Sequence, residues 1–237
     1  MKRIGMLTPS SNTILEPVTA TLAAGLPGVT VHFSRFRVTQ IALSDQALGQ
    51  FDDAPMLAAA SLLADAKVDC ITWNGTSAGW LGLEADRRLC TRIEAETGVK
   101  ASTCVLTMVD LLRRKGQQRI GLVTPYTDDV QARIVTNFKA EGIDCVSERH
   151  LSLSDNFSFA LVERARLDQM VADVASAKPD AIVVFCTNLD GATPASDWEA
   201  KLGIPVYDTI ALSLYGALQA AGVDHAPLRR FGRLFGE

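Results

Sequence analysis

The sequence predicts an α/β protein built from two pseudo-symmetric, doubly wound lobes with parallel sheets, and it places the active site in the cleft between the lobes. The first observation is an internal repeat. The segment KRIGMLTP, which starts at Lys2, returns as QRIGLVTP at Gln118. Both copies have the composition of a short apolar strand that ends at a proline turn.

Two further segment pairs occur in the same order along the chain. Residues 68–76 return as residues 179–187, each an apolar strand after an aspartate, and residues 97–101 return as 202–206, where a glycine ends a helix. Between the strands, apolar residues recur at three- and four-residue spacing in segments 54–65, 83–96, 129–141 and 168–177. This alternation of strands and helices predicts βαβ units with right-handed crossovers.

The repeat divides the chain into an N-terminal lobe of residues 1–107 and a C-terminal lobe of residues 108–213. The last helix is expected from about Leu212 to Ala221, and the C-terminal segment 212–237 is expected to pack back on the N-terminal lobe. No Pro/Gly/Ser-rich linker marks the boundary. We therefore expect the lobes to be closely joined.

Composition narrows the class of protein. The 237 residues are 48% hydrophobic and 21% charged, with a formal net charge of −4, and no Lys/Arg-rich run suggests nucleic-acid binding. No apolar run reaches the ~18 residues of a membrane helix and no signal peptide is evident, so we expect a cytoplasmic protein without membrane association. The five cysteines form no C-x-x-C pair and the three histidines are isolated. We predict free thiols, no metal and no cofactor.

Four loops follow the carboxyl ends of predicted strands, and in two facing parallel sheets such loops meet in one cleft. They begin at Pro9, Gly75, Pro125 and Cys186. Their side chains are mostly neutral hydrogen-bond donors, which together with helix N-termini suit a small carboxylate. The residues predicted to bind substrate in these loops are Pro9, Ser10, Asn12, Thr76, Ser77, Tyr126 and Thr187.

Cys186 is the candidate acid/base group, because it is the one thiol at a predicted strand end. An adjacent helix N-terminus is expected to lower the pKa of this thiol towards neutral. The alternative is a buried cysteine that packs as a small hydrophobe. The repeat favours function, since Cys186 occupies the place that Gly75 has in the other lobe. The remaining cysteines fall inside apolar strand or helix patterns and are predicted to be structural: Cys70, Cys90, Cys104 and Cys145.

A competing motif overlaps one of these loops. Residues 75–79 read G-T-S-A-G, which matches the G-x-S-x-G nucleophile elbow of α/β-hydrolases, with Ser77 as nucleophile and His225 as a downstream base. The duplicated architecture argues against this hypothesis, because a hydrolase sheet would not repeat the loop as Cys186-Thr187-Asn188.

With these loops identified, the chain resembles the aspartate/glutamate racemase superfamily, and within it the group of maleate cis-trans isomerases and arylmalonate decarboxylase. The resemblance covers nearly the whole chain. Two segments look like the isomerases: residues 9–13 with Glu16-Pro17, and the pair Asp155-Asn156. The segments that look like the decarboxylase are 75–77, 126–130 and 232–235.

The resemblance implies a cofactor-independent enzyme with a cysteine from each lobe on either face of its substrate. This chain keeps Cys186 alone, and Gly75 marks the position of the absent second cysteine, as in the decarboxylase. A single thiol suits protonation of a carbanion on one face. We accordingly expect a cysteine placed at residue 75 to restore two-base racemisation.

The reaction that the resemblance implies is decarboxylation of a malonate-type diacid through an enediolate. Thr76, Ser77 and Tyr126 would hold one carboxylate, Asn12 and Asn156 would orient the acid, and an apolar pocket would desolvate the departing carboxylate. Maleate-isomerase-like or racemase-like activity, and a catalytically reduced carboxylate-binding protein, stay open as alternatives. The predicted partner is a small carboxylate, and the sequence is compatible with a homodimer.

Overall fold

The computed structural model describes residues 1–236 and contains two four-stranded parallel sheets, as the sequence predicts. The first sheet has the strand order β2-β1-β3-β4 and the second the order β6-β5-β7-β8, with every neighbouring pair parallel. The strands of the first lobe are β1 (Lys2–Pro9), β2 (Val29–Phe36), β3 (Cys70–Trp73) and β4 (Ala101–Thr103). Those of the second are β5 (Arg119–Val123), β6 (Asp144–Arg149), β7 (Ala181–Val184) and β8 (Val206–Asp208). The identical order in the two sheets confirms the duplication.

Helices flank both sheets, and the predicted helices are present with ends that differ by at most four residues. In the first lobe they are α1 (Leu15–Ala23), α2 (Asp45–Leu48), α3 (Asp53–Asp65), α4 (Ala78–Leu81), α5 (Leu83–Thr97) and α6 (Cys104–Lys115). In the second they are α7 (Asp128–Ala140), α8 (Arg164–Ala175), α9 (Ala195–Leu202) and α10 (Thr209–Ala221). Short 3-10 turns occupy Gly49–Phe51, Phe157–Leu161, Ala226–Phe231 and Arg233–Gly236.

The repeated aspartates have a structural role that explains their position before a strand. Asp69 Oδ2 accepts a hydrogen bond from the Arg3 amide at 2.8 Å, and Asp180 Oδ2 accepts one from the Arg119 amide at 2.8 Å. Each carboxylate therefore ties the loop that enters a central strand to the start of the neighbouring strand. The same bond in both lobes fixes the register of the equivalent strand pairs.

The predicted boundary between residues 107 and 108 falls inside helix α6. Thr103 Oγ1 accepts from the Leu106 amide and so caps α6 directly after β4. Helix α10 is capped in the same way by Asp208 and packs against α6, β3 and β4 of the first lobe. A single helix spans 209–221, and 3-10 turns rather than helix follow it. The last helix of the second lobe thus packs against the last helix and the sheet of the first lobe.

Close packing of the lobes depends on Gly79 at the second position of α4. A Cβ at this residue would lie 2.7 Å from a ring carbon of Phe185. The Gly79 carbonyl accepts from Asn137 Nδ2 of helix α7 at 2.9 Å. Glycine here allows the backbone of α4 to approach the second lobe.

Residues 1–236 contain neither a membrane-spanning helix nor a cluster of metal ligands. No helix in this part of the chain is long and apolar enough to cross a bilayer. Over the same residues, no group of three or more His, Cys, Asp or Glu side chains is arranged to hold a metal ion.

Candidate active site

A small cavity lies where the four predicted loops meet, at the carboxyl ends of the central strands of both sheets. Its lining residues are Pro9, Val38, Ile41, Phe51, Trp73, Gly75, Thr76, Trp80, Tyr126, Asn156, Cys186 and Thr187. The space available to water-sized molecules is about 20 Å³, which is room for one or two waters. A carboxylic acid can therefore enter only if some of these side chains move.

The lining combines an apolar wall with a few neutral polar groups. The wall consists of Val38, Ile41, Phe51, Trp73 and Trp80, and no lining residue is Lys, Arg, His, Asp or Glu. An anion in this cleft would lose water on the apolar side without gaining a cation. It would have to be stabilised by hydroxyl and amide donors alone.

Cys186 lies in this cleft with 2% of its surface exposed. Burial raises the pKa of its thiol to about 12. Hydrogen bonds with the Asn188 amide, which donates to Sγ at 3.3 Å, and with Tyr126 lower this pKa, but by less than burial raises it. The expected helix N-terminus is absent, because the chain turns after β7 and α9 begins only at Ala195. The prediction of a lowered pKa is therefore wrong. Cys186 is a protonated thiol at neutral pH, suited to donate a proton.

Gly75 also lines the cleft, and the ring of Trp73, two residues earlier, occupies the space that a side chain at residue 75 would need. A Cβ at residue 75 would overlap ring atoms Cζ2, Cη2 and Cε2 of Trp73. The indole is 1% exposed, and its Nε1 donates to Ser77 Oγ at 3.3 Å. Trp73 therefore covers the position where a thiol of the first lobe would stand.

Thr76 and Tyr126 bring one hydroxyl from each lobe into the cleft. Thr76 Oγ1 and the Tyr126 hydroxyl are 2.5 Å apart, and the tyrosine ring packs edge-on against Trp80 and Phe159. Burial and the nearby Cys186 hold the pKa of Tyr126 well above its usual range. The phenol therefore stays neutral and can donate a hydrogen bond to a bound oxyanion.

Asn12 is buried next to the cleft but does not line it. Its Nδ2 donates to the Thr187 carbonyl oxygen at 2.9 Å, and its Oδ1 accepts from the amides of Ile14 and Leu15. The Asn188 Oδ1 also accepts from Ile14 at 3.2 Å. These bonds use the first amides of α1 for contacts within the protein. Asn12 positions Thr187 rather than offering its own side chain to a ligand.

Two serines predicted to bind substrate also lie outside the lining. Ser10 is exposed, and its hydroxyl is hydrogen-bonded to the Val38 backbone. Ser77 faces the indole of Trp73 on the far side of that ring. Ser77 has φ −57° and ψ −32°, an ordinary helical conformation, so it lacks the strained geometry of a nucleophile elbow. The downstream His225 packs on Tyr215, which leaves the hydrolase hypothesis without a base.

Asn156 does line the cleft, as the resemblance implied. Its Nδ2 donates to Ser11 Oγ at 2.8 Å, and its carbonyl oxygen accepts from Asn188 Nδ2 at 2.6 Å. Its amide donates to the Thr39 carbonyl oxygen. Asn156 thus fixes the second lobe to two loops of the first at the edge of the cleft.

Sequence reasoning missed several residues that build the site. Asn74 is buried, its carbonyl oxygen accepts from Thr187 Oγ1 at 3.0 Å, and its Nδ2 donates to the Leu7 carbonyl oxygen. Asn74 comes one position before Gly75 in the repeated strand end, so its position carried a usable signal. The aromatic wall of Phe51, Trp73 and Trp80 carried none, because aromatic residues near strands are usually core.

Comparisons with known proteins show which family the chain is similar to. A family model described as arylmalonate decarboxylase matches residues 12–235. The maleate isomerase of Pseudomonas putida KT2440 is 27% identical over 234 residues, or 94% of this chain and 92% of the relative. The arylmalonate decarboxylase of Bordetella bronchiseptica is 27% identical over 166 residues, or 69% of each chain.

Solved structures confirm the predicted fold. The maleate cis-trans isomerase of Nocardia farcinica, in a mutant with a covalently bound succinylcysteine intermediate, superimposes with a TM-score of 0.88 at 22% identity. The match covers 99% of this chain and 98% of that one. The resemblance inferred from the sequence and the prediction of an enzyme are both confirmed. The chain belongs to the arylmalonate decarboxylase family.

Proposed function

We propose that this protein decarboxylates a small malonate-type diacid and protonates the resulting carbanion on one face. One observation carries the proposal: the cleft holds a single, protonated thiol, Cys186, while Trp73 covers the opposing Gly75. One proton donor and no second base suit a reaction that adds a proton to a reactive carbon. They do not suit one that removes a proton from the other face.

One substrate carboxylate would be held by the hydroxyls of Thr76 and Tyr126. These groups line the cleft, and Thr76 and Tyr126 already meet at 2.5 Å. A carboxylate placed between them would accept both hydrogen bonds as it gains enediolate character. Donors positioned before the reaction in this way contribute about 3–4 kcal/mol each to the transition state.

The second carboxylate would lie against the apolar wall, where it loses water without finding a cation. Its carbon–carbon bond breaks, carbon dioxide leaves, and the electron pair of that bond passes into the enediolate of the retained carboxylate. The Cys186 thiol then gives its proton to the α-carbon. The resulting thiolate regains a proton from water, so the step balances without a cofactor.

Maleate isomerisation is the second candidate, and the bound intermediate of the Nocardia farcinica relative favours it. A succinylcysteine requires a thiolate that attacks the substrate. Asn156, which lines the cleft here, belongs to the pair Asp155-Asn156 that resembles the isomerases. Against this candidate, burial keeps Cys186 protonated and residue 75 is a glycine. A small carboxylate is the expected ligand in either case.

The test is turnover of alkyl- and arylmalonates in deuterium oxide by the parent and by Cys186→Ala. From the parent we expect carbon dioxide release with at least one of these malonates, one deuterium at the α-carbon and one enantiomer of the product. The variant should lose roughly 10³-fold in rate, with an unchanged thermal denaturation midpoint. Conversion of maleate to fumarate without decarboxylation of any malonate would favour the second candidate and overturn the first.

A further inference from the structure

A second cavity lies directly behind the aromatic wall of the cleft. It shares Phe51 and Trp73 with the cleft, and its remaining lining is Asp53, Met56, Ser77, Leu81, Ala85, Asp86, Arg88 and Leu89. The space for water-sized molecules is about 30 Å³. Nothing in the proposed reaction uses this cavity.

Trp73 is the part of the shared wall that faces Gly75. Its indole is fixed from three directions, by the hydrogen bond of Nε1 to Ser77, by the ring of Phe36 at a centroid distance of 5.1 Å, and by the backbone of Gly75. In the first sheet Leu7 pairs with Trp73, and in the second sheet the equivalent Val123 pairs with Val184. Trp73 and Val184 therefore occupy equivalent positions in the two lobes. The ring is thus a feature of one lobe only.

Asp86 is an unused polar group at the second cavity. It is 2% exposed, and its Oδ2 has no hydrogen-bond partner among residues 1–236. Burial raises the pKa of this carboxyl to about 7, against the lowering effect of a hydrogen bond from Thr103. A carboxyl in this state can donate to an oxygen or accept from a hydroxyl. An unpaired buried oxygen is unfavourable unless a ligand or water reaches it.

We propose that Trp73 determines the size of the substrate's side group by closing the cleft off from the Asp86 cavity. This inference rests on the proposed function, which it deepens by assigning the substrate class. The native substrate has a small alkyl side group that contacts the indole face. Shortening Trp73 joins the two spaces, so that the cleft accepts an aryl group. Asp86 in the lining of the joined space then favours an aryl group that carries a hydroxyl.

The test measures binding alone, so that it does not depend on turnover. Titration calorimetry with isobutyrate, phenylacetate and 4-hydroxyphenylacetate compares the parent with Trp73→Val, which copies the second lobe. We expect the ratio of phenylacetate to isobutyrate affinity to rise at least ~10-fold in the variant. Trp80→Val is the matched control, because Trp80 lines the cleft but not the second cavity, and it should change the ratio far less.

The contribution of Asp86 is measured in the same background. Trp73→Val should bind 4-hydroxyphenylacetate more tightly than phenylacetate, and Trp73→Val/Asp86→Leu should lose that preference. If Trp73→Val does not fold, Trp73→Phe replaces it, with a smaller rise in the same direction. An unchanged ratio in a folded Trp73 variant, an equal rise in Trp80→Val, or a hydroxyl preference that survives Asp86→Leu would overturn the inference. Failure to decarboxylate any malonate would refute the proposed function and leave these ratios intact.

Discussion

A cysteine at residue 75 tests the packing of the first lobe and the single-thiol argument together. The sequence alone suggested that Gly75→Cys would create a racemase. In the structure the new Cβ overlaps the ring of Trp73, which has to retreat to the ~3.5 Å separation of normal carbon contact. The ring is buried with few directions open to it. We expect Gly75→Cys alone to destabilise the fold by about 3 kcal/mol, the upper end of overpacking costs.

A double-mutant cycle separates this clash from other effects of the cysteine. Trp73→Val should cost about 3 kcal/mol by itself, since it removes most of a buried ring. The cysteine should then add little further cost, because the atoms that it overlaps are gone. The coupling free energy between residues 73 and 75 should be about 2–3 kcal/mol. Gly49→Cys is the control, since Gly49 has φ −62° and no heavy atom within 4 Å of its added Cβ.

Urea denaturation of the three variants and the parent gives the free energies of unfolding for the cycle. Activity is followed by deuterium incorporation and chiral chromatography of a 2-substituted monocarboxylic acid. Racemisation should appear in the double variant, where a thiol can stand opposite Cys186, and be weak or absent in Gly75→Cys. A Gly75→Cys protein as stable as the parent, or a coupling energy near zero, would refute the assignment of Trp73 to this space.

Three further predictions concern other groups. The decarboxylation rate should not decline between pH 7 and 9, because burial raises the pKa of Cys186 to about 12 and the thiol stays protonated in this range. A decline centred near pH 8.5, close to the pKa of about 8.5 of a free cysteine, that is also present in Tyr126→Phe would contradict this. Tyr126→Phe itself should lower kcat/KM roughly 10²-fold in steady-state kinetics. The inhibition constant of a non-reacting acid should be little changed. Burial would lower the pKa of His150, but hydrogen bonds to Glu148 and Asp128 outweigh it and raise that pKa. The extra stability of the parent relative to His150→Gln should therefore be fully present below the pKa of unfolded His, about 6.5, and be lost as pH rises through the pKa of the folded state. Thermal denaturation at several pH values measures this difference.

The fold was predictable because its signals are local and occur twice. Strand ends at Pro9 and Pro125, and the glycines that close helices, can be read without knowing any contact. Parallel-sheet geometry then requires the strand-end loops to meet, and the cleft at Thr76, Tyr126 and Cys186 follows. The lobe boundary was harder, because α6 continues a helical pattern straight from one lobe to the other.

The chemistry of the site was less predictable, because it depends on which way side chains turn and how deeply they are buried. Cys186 was expected beside a helix N-terminus, but a turn follows the strand and burial dominates its pKa. Ser77 and Asn12 belong to the predicted loops, yet their side chains bond to Trp73 and to Thr187 instead of facing the cleft. Residue type and strand position identify a loop, whereas the direction of a side chain depends on neighbours distant in sequence.

The asymmetry of the two lobes bears directly on stereochemistry. A duplicated fold offers two equivalent strand ends, and two thiols there could exchange protons with both faces of a planar enediolate. In this chain the strand end of the first lobe has a glycine at 75 and the indole of Trp73 folded over it, while the second has Val184 and the thiol of Cys186. The large residue and the reactive residue thus lie on opposite lobes. In the proposed reaction, an enediolate between them would meet a hydrocarbon surface on one side and an S–H donor on the other, so the packing of β3, as much as the thiol, would fix the face that receives the proton.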